Sequence, residues 1–425
     1  MKKALSLILA LTLICGVFSA CVETQSPTET TTQEKVTNVE ETTTIEETTT
    51  VEETTTVEET TTVEETTTVE ETTIVEETTT VEETTTVEET TTVEETTEPA
   101  GSVGLAYVEN DDETSCTITG IGTCTDTDLV IPSTIDGYSV TSVGARAFWG
   151  CSALKSVTIA DSVESIGNRA FENCKSLTSV TIGDGVTSIG DTAFYRCSGL
   201  KSVTMGKGVT DIGASAFEGC SGLTRITIGS NVTSIGNYAF RDCTGLKSVT
   251  IPDGVTSIGN TAFYGCTSLS SIVIPDSVTS IGTSAFEACS GLRSVTISNS
   301  VTIINHAVFM GCSALSSIVI PDSVTSIGEK AFYRCYELTE ITIPDKVTSI
   351  DASAFEDCTG LTSITVSAGV TSIGNTAFYG CTELESITFN GTKAQWTAIS
   401  KGSNWNRGTG NFAIHCTNGD ISKNG

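Results

Sequence analysis

The chain is 425 residues long and carries 53 Asp and Glu against 21 Lys and Arg, a net charge of −32. This acidic excess excludes a general nucleic-acid binder, because such a protein needs a basic face to neutralise phosphates. Two His and 6% aromatic residues leave almost no material for His-based catalysis or a multi-His metal site.

Residues 1–20 have the features of an export signal. Two Lys follow Met1, and the apolar run 4–17 is too short for an ordinary membrane-spanning helix. The run ends in the tetrapeptide 18–21, Phe-Ser-Ala-Cys, which resembles the lipobox of bacterial lipoprotein signal peptides. The resemblance implies lipidation of Cys21 and contact with a membrane through this lipid alone. The alternative is an ordinary secretory signal that is cut nearby, with no role for Cys21.

Residues 21–100 are predicted to form an acidic stalk. From Glu40 to Thr97 the chain repeats Val-Glu-Glu-Thr-Thr-Thr with a period of six residues. A six-residue step turns an α-helix by about 600°, so successive Val residues do not share one helical face. Strand pairing could align the Val residues, but the regular Glu pairs oppose it. With so little to bury, the segment is predicted to be disordered.

The remainder of the chain is dominated by a 23-residue repeat. Each Phe of the repeat is followed three residues later by Cys, and each Cys three residues later by Leu. The eleven Phe residues are Phe148, Phe171, Phe194, Phe217, Phe240, Phe263, Phe286, Phe309, Phe332, Phe355 and Phe378. Such a period is typical of a solenoid, in which each unit buries its apolar face only by stacking on its neighbours.

Each repeat contains one predicted strand. In the unit 177–199, alternation places Val180 and Ile182 inward and Ser179 and Thr181 outward. The segment around each Phe and Cys fits a short helical turn. Twenty-three residues leave no room for a full helix beside a strand and two corners.

A glycine column is a second regularity. Nine of the eleven repeats have Gly at the same position, from Gly144 to Gly374, and the two exceptions are Asn305 and Asp351. Asn and Asp are the non-glycine residues that best tolerate a left-handed backbone. The column is therefore predicted to be a corner with positive φ.

The repeat resembles the leucine-rich repeats of the BspA or Treponema pallidum type, with eleven copies of Leu-x-x-Ile-x-Ile…Val-x-x-Ile-Gly-x-x-Ala-Phe-x-x-Cys within residues 101–425. The resemblance implies a mainly β solenoid with one parallel sheet and short helical turns, and a role in extracellular recognition or adhesion. It implies no catalytic residue. The predicted cap and degenerate first repeat span 101–143, the solenoid 144–389 and the closing cap 390–425, since apolar solenoid ends need covers.

The repeated cysteines are predicted to pack in the core. They form a column with no CxxC pair of chelating spacing, and free Cys behaves as a small hydrophobe. Cys116 and Cys124 lie outside the column, and a disulfide between them is predicted to close the first cap. No metal or cofactor is predicted.

The outward strand positions are the candidate binding surface. The proposed ligand-binding set is Ser179, Thr181, Ser202, Thr204, Arg225, Thr227, Ser248 and Thr250. A neighbouring column carries Lys155, Lys201, Lys247 and Arg293, each 46 residues apart. Alternate coils would then display a basic group roughly every 10 Å, suited to an acidic partner such as a sulfated or sialylated glycan. The alternative is an ordinary solvated surface, since Ser and Thr suit exposed strands and exposed Lys aids solubility.

These patterns predict a monomeric, lipid-anchored protein at the extracellular face of the cell envelope. It is expected to adhere to an extracellular protein, a glycan or neighbouring cells. The alternative is a passive envelope spacer without a specific ligand. No phosphate-binding loop, nucleophile–His–acid set or helix-borne carboxylate pair is apparent, so no enzymatic activity is predicted.

Overall fold

The computed structural model describes residues 37–41, 63–67 and 100–423. The chain divides into two units, Met1–Thr97 and Glu98–Gly425. In the first unit, β1 (Thr37–Glu41) pairs antiparallel with β2 (Val63–Thr67). Val and Thr favour extended backbone, and an isolated two-stranded pair is at most marginally stable in water. The predicted signal, Cys21 and the rest of the stalk lie outside the described residues.

The second unit is a solenoid in which each repeat contributes two strands, numbered here along the chain. We call sheet A the stack formed by the first strand of each repeat and the strands that extend it at its two ends. The strands are β5 (Asp128–Ile131), β8 (Ser156–Ile159), β10 (Ser179–Ile182), β12 (Ser202–Thr204), β14 (Arg225–Thr227), β16 (Ser248–Thr250), β18 (Ser271–Val273), β20 (Ser294–Thr296), β22 (Ser317–Ile318), β24 (Glu340–Ile343), β26 (Ser363–Val366), β28 (Ser386–Phe389), β30 (Ala413–Cys416) and β31 (Gly419–Ser422). These strands form four hydrogen-bonded ladders, in which the first contains β5 to β12, the second β14 and β16, the third β18 to β22 and the fourth β24 to β31.

Sheet B contains the second strands and most of the first cap: β3 (Ala106–Glu109), β4 (Ser115–Gly120), β6 (Thr134–Ile135), β7 (Tyr138–Val143), β9 (Ser165–Ile166), β11 (Ser188–Ile189), β13 (Asp211–Ile212), β15 (Ser234–Ile235), β17 (Ser257–Ile258), β19 (Ser280–Ile281), β21 (Ile303–Ile304), β23 (Ser326–Ile327), β25 (Ser349–Ile350), β27 (Ser372–Ile373) and β29 (Ser400–Lys401). Within the described residues the one helix is α1 (Lys393–Ala398).

The repeats stack as parallel strands in register. Val180 lies opposite Val157 on one side and Val203 on the other, so each step across sheet A is one repeat of the sequence. Sheet B has the same register, with Ile189 between Ile166 and Ile212. The predicted solenoid of 23-residue coils is confirmed.

The interior is a stack of phenylalanines. All eleven repeat Phe residues are fully buried. Neighbouring rings are nearly parallel, with centroids between 5.0 Å for Phe148 and Phe171 and 5.8 Å for Phe286 and Phe309. The last ring, Phe378, meets Trp405 edge-on at 6.1 Å. Burial of this continuous apolar column is the main driving force that holds the coils together.

The glycine column does not adopt positive φ, contrary to the prediction. A Cβ at Gly167 would lie 2.7 Å from the Ala145 nitrogen and 2.8 Å from the Val143 oxygen, so crowding by the preceding coil favours glycine here. Positive φ occurs instead on either side of each Phe, as at Thr192 (54°) and Arg196 (56°). These residues interrupt any helix, so the segment around Phe consists of successive hydrogen-bonded turns.

The exceptional Asn305 replaces a backbone hydrogen bond with a side-chain bond. Elsewhere in the column the backbone N–H reaches the preceding coil, as when Gly282 donates to the Ile258 oxygen at 2.8 Å. At Asn305 the side-chain amide donates to the Ile281 oxygen at 2.7 Å. The sheet B ladder is interrupted at this place, between β19 and β21.

The disulfide predicted between Cys116 and Cys124 is not formed, and both are buried free thiols. Cys116 lies opposite Glu109 in the β3–β4 hairpin, whereas Thr123, next to Cys124, bonds to Gly104 beyond the other end of β3. Gly104 and Glu109 lie five residues apart along the extended chain, a separation of roughly 15 Å along the hairpin. A disulfide requires Cα atoms within about 7 Å.

The candidate binding face of sheet A

The basic residues form one column beside sheet A, as predicted from their spacing. The Thr178 N–H donates to the Lys155 oxygen at 2.7 Å, and the Lys201 N–H donates to the Thr178 oxygen at 2.8 Å. Lys247 and Arg293 continue the same series of backbone bonds. Each basic residue is therefore separated from the next by one coil with Thr or Ser in the column.

The four basic side chains are exposed and unpaired. Lys155, Lys201, Lys247 and Arg293 are all on the surface. Among residues 100–423, no acidic side chain lies within 4.0 Å of any of their charged groups. Their charged groups are therefore free to contact a partner, and such contact would displace only water from them.

The hydroxyl residues predicted as ligand-binding also lie together on this face. Ser179 aligns with Ser202 and Thr181 with Thr204 in one ladder. Arg225 aligns with Ser248 and Thr227 with Thr250 in the next ladder, which adjoins the first. Ser179 is half-buried and the other seven are exposed. We call this surface, together with the basic column, the sheet A face.

The sheet A face is locally basic although the protein is acidic. From Lys155 to Arg293, its three outward columns contain five basic side chains and no acidic one; the fifth is Arg225. Acidic residues enter these columns at both ends, at Asp128, which lies opposite Ser156, and at Glu340 and Glu385. A positive stretch of this length attracts anionic groups even when the net charge of the chain is negative.

A furrow borders the opposite edge of the strands. It has a volume of about 380 Å³ and is lined in part by Thr181, Thr204, Asp161, Asp184 and Met205. Asp161 Oδ1 accepts the N–H of Asp184 at 2.7 Å, so the carboxylates also bond the loops of successive coils together. The furrow therefore places carboxylates along one edge of the sheet A face, whereas the basic column runs along the other edge.

Two apolar side chains in this face were evident in the sequence only as interruptions of the hydroxyl pattern. Val273 is 63% exposed and Val319 is 79% exposed, and both occupy the column that holds Thr in neighbouring coils. Single exposed apolar residues are common on protein surfaces. They lie two coils apart, and they make this part of the sheet A face less polar than the Thr-bearing coils beside it.

The repeated cysteines belong to the core rather than to a reactive site. Cys220 is fully buried and its Sγ donates to the Phe194 oxygen at 3.2 Å. Burial raises the pKa of Cys220 to about 12, so the thiol stays protonated at neutral pH. In residues 100–423 no three His, Cys, Asp or Glu side chains are grouped to hold a metal ion.

The stacked parallel coils, the dry Leu, Phe and Cys interior and the polar outward strands define a leucine-rich-repeat solenoid, a class that serves typically as a binding scaffold. The chain belongs to the BspA type leucine-rich-repeat family, whose model matches residues 123–247, 210–335 and 302–422. The family resemblance seen in the sequence is confirmed.

Several solved structures are similar to the chain. A leucine-rich cell surface protein from Faecalibacterium prausnitzii is 32% identical, with 72% of this chain and 98% of that chain covered and a TM-score of 0.43. A leucine-rich repeat protein from Bacteroides ovatus is 26% identical, with 73% and 98% covered and a TM-score of 0.40. The T. pallidum leucine-rich repeat protein is 23% identical, with 68% and 91% covered and a TM-score of 0.25.

No curated protein matches the chain. Among the described residues, no helix is long and apolar enough to cross a membrane.

Proposed function

We propose that this protein is a surface adhesin that binds an acidic extracellular partner, a glycan or a protein, through the sheet A face. The observation that carries the proposal is the row of Lys155, Lys201, Lys247 and Arg293, exposed, unpaired and repeated at every second coil. Regularly spaced charges suit a partner whose anionic groups also repeat, because several contacts then form on one ligand.

A location outside the cell is part of the same proposal. Lipidation of Cys21 would attach the chain to a membrane, and the stalk 21–100 would hold the solenoid away from it. The relative from F. prausnitzii is described as a cell surface protein, which supports this location. The protein would act as a monomer, with the whole sheet A face open to its partner.

The test compares two fourfold variants of the full-length protein. The first changes Lys155, Lys201, Lys247 and Arg293 to Ala, and binding to immobilised dextran sulfate is measured against salt concentration. We expect saturable binding to weaken at least tenfold and its salt dependence to become shallower, because fewer ion contacts remain.

The matched control changes Thr178, Thr224, Ser270 and Thr339 to Ala, which alters the same column in coils that lack a basic residue there, without removing charge. The control should bind like the unaltered protein. Equal binding by the basic-column variant would refute the role of the row. The absence of saturable binding to dextran sulfate, matrix proteins and mucin would instead favour the passive spacer.

A further inference from the structure

A pocket interrupts the sheet A face where three successive coils meet. It has a volume of about 450 Å³ and is lined by Arg293, Ser313, Ala314, Ser316, Tyr336 and Glu337. This volume lies within the range of small-molecule sites. The lining side chains come from positions up to 44 residues apart and are brought together by the stacking of the coils.

Arg293 supplies an uncommitted guanidinium to this pocket. The neighbouring Arg334 is already engaged, since its Nε lies 3.4 Å from Asp357 Oδ2 and its guanidinium carbon lies 4.8 Å from the ring centre of Tyr333. Arg293 has no such partner among residues 100–423. A free guanidinium binds carboxylates with two parallel hydrogen bonds.

Tyr336 and Glu337 depart from the repeat at the pocket. Tyr336 is 41% exposed and occupies a position held by Ser, Thr or Lys in the other coils. Glu337 occupies a position that is Gly in five other coils, yet its N–H still donates to the Ser313 oxygen at 3.2 Å. Both side chains therefore change the surface of the coil while preserving its backbone bond to the preceding coil.

We infer that this pocket binds a carboxylated sugar residue, an inference that rests on the proposed glycan-binding function of the sheet A face. Arg293 binds the sugar carboxylate and the Tyr336 ring packs against the C–H face of the sugar. Ser313, Ser316 and Glu337 bond to its hydroxyl groups. The Glu337 carboxylate favours a sugar over an acidic peptide, because it accepts from hydroxyls and repels a second carboxylate.

The probes are methyl glucuronide and the methyl glycoside of N-acetylneuraminic acid, with methyl glucoside as the neutral comparison. Each is titrated into the full-length protein by calorimetry. We expect at least one acidic sugar to bind at least tenfold more tightly than methyl glucoside. Arg293→Ala and Tyr336→Ser should each weaken this binding at least tenfold.

Lys346→Ala is the matched control, because Lys346 is an exposed basic residue that lies outside both the pocket and the basic column. It should bind the monosaccharides within twofold of the unaltered protein. Equal binding of the neutral and acidic sugars, or unaltered binding by the Arg293→Ala and Tyr336→Ser variants while their circular dichroism is native, would overturn the inference. So would tighter, Arg293-dependent binding of a glutamate-rich peptide.

The two proposals fail in distinguishable ways. If dextran sulfate binding depends on the basic column but neither acidic monosaccharide binds, the pocket is refuted and the row stands. If an acidic monosaccharide binds in an Arg293-dependent manner but the basic-column variant retains polymer binding, the row is refuted and the pocket stands.

Discussion

Each buried cysteine of the array provides a hydrogen bond as well as apolar volume. The Phe194 carbonyl accepts from the Cys197 N–H at 3.2 Å and from Cys220 Sγ at 3.2 Å. The same arrangement recurs from Cys174 to Cys381. The sequence predicted the packing role from the column alone. The second donor at each Phe carbonyl depends on where the next coil lies, so it appears only in the structure.

The thiol column makes stability sensitive to alkaline pH. Burial raises the pKa of Cys220 and Cys381 to about 12, above the ordinary value of 9.0. Between pH 9 and 12 the unfolded chain loses these protons and the folded chain keeps them, so the free energy of unfolding falls as pH rises. Each thiol contributes a slope of up to about 1.4 kcal/mol per pH unit.

The measurement is urea unfolding at intervals from pH 7 to 11. We expect the urea midpoint of unfolding to fall steeply above pH 9. In the Cys220→Ala variant, the slope of the unfolding free energy against pH should correspond to about one fewer proton released on unfolding. Cys416→Ala is the control, because Cys416 is only half-buried and should change the slope less. A Cys220→Ala variant with the slope of the unaltered protein would contradict this account.

Successive coils pack so closely at some positions that there is little room for a side chain between them. The glycine column is one such close approach, since a Cβ at Gly236 would lie 2.6 Å from the Ile212 oxygen. Two residues in the column are not glycine. Asp351 keeps the backbone bond, to the Ile327 oxygen at 2.9 Å, whereas the Asn305 side-chain amide bonds to the preceding coil where the sheet B ladder is interrupted. One substituted residue therefore changes how two neighbouring strands, β19 and β21, are joined.

Asn305→Ala should destabilise the junction between β19 and β21. It removes the donor to the Ile281 oxygen and leaves that carbonyl unpaired, which costs about 1–3 kcal/mol. Asn305→Gly is the matched variant, because it allows the backbone N–H to bond as Gly282 does. Hydrogen exchange of the β21 amides should be fastest in the Ala variant and slowest in the Gly variant. Equal exchange in both would show that the amide bond does not hold the junction.

The whole solenoid depends on covers at the ends of its apolar column. At the C-terminal end, Trp396 of α1 packs edge-on against Phe389 at 5.2 Å and against Trp405 at 6.1 Å. The Lys401 ammonium lies 4.9 Å from the Trp396 ring centre and donates to the Trp396 oxygen. Because each coil is stabilised only by its neighbours, loss of the cover exposes the last coil first.

Trp396→Ala should lower the free energy of unfolding by about 3–5 kcal/mol, the range for removing a large buried aromatic side chain. Trp149→Ala is the matched control, since Trp149 is 57% exposed and should cost far less. Urea unfolding followed by circular dichroism measures both, and hydrogen exchange should show β28 and β30 opening first in the Trp396 variant. Equal losses for the two variants would mean that Trp396 does not act as a cover.

The sequence by itself determined the coil length, the inward and outward residues and the alignment of the basic column. These follow from a constant period, because in-register stacking turns every 23-residue repeat into a column. The tertiary structure decided what depends on distances between coils. In the structure, positive φ occurs in the turns around Phe rather than in the glycine column. Cys116 and Cys124 lie at different places along the β3–β4 hairpin. The tertiary structure also brought Arg293 and Tyr336 into one pocket, because their proximity arises from stacking rather than from any local pattern.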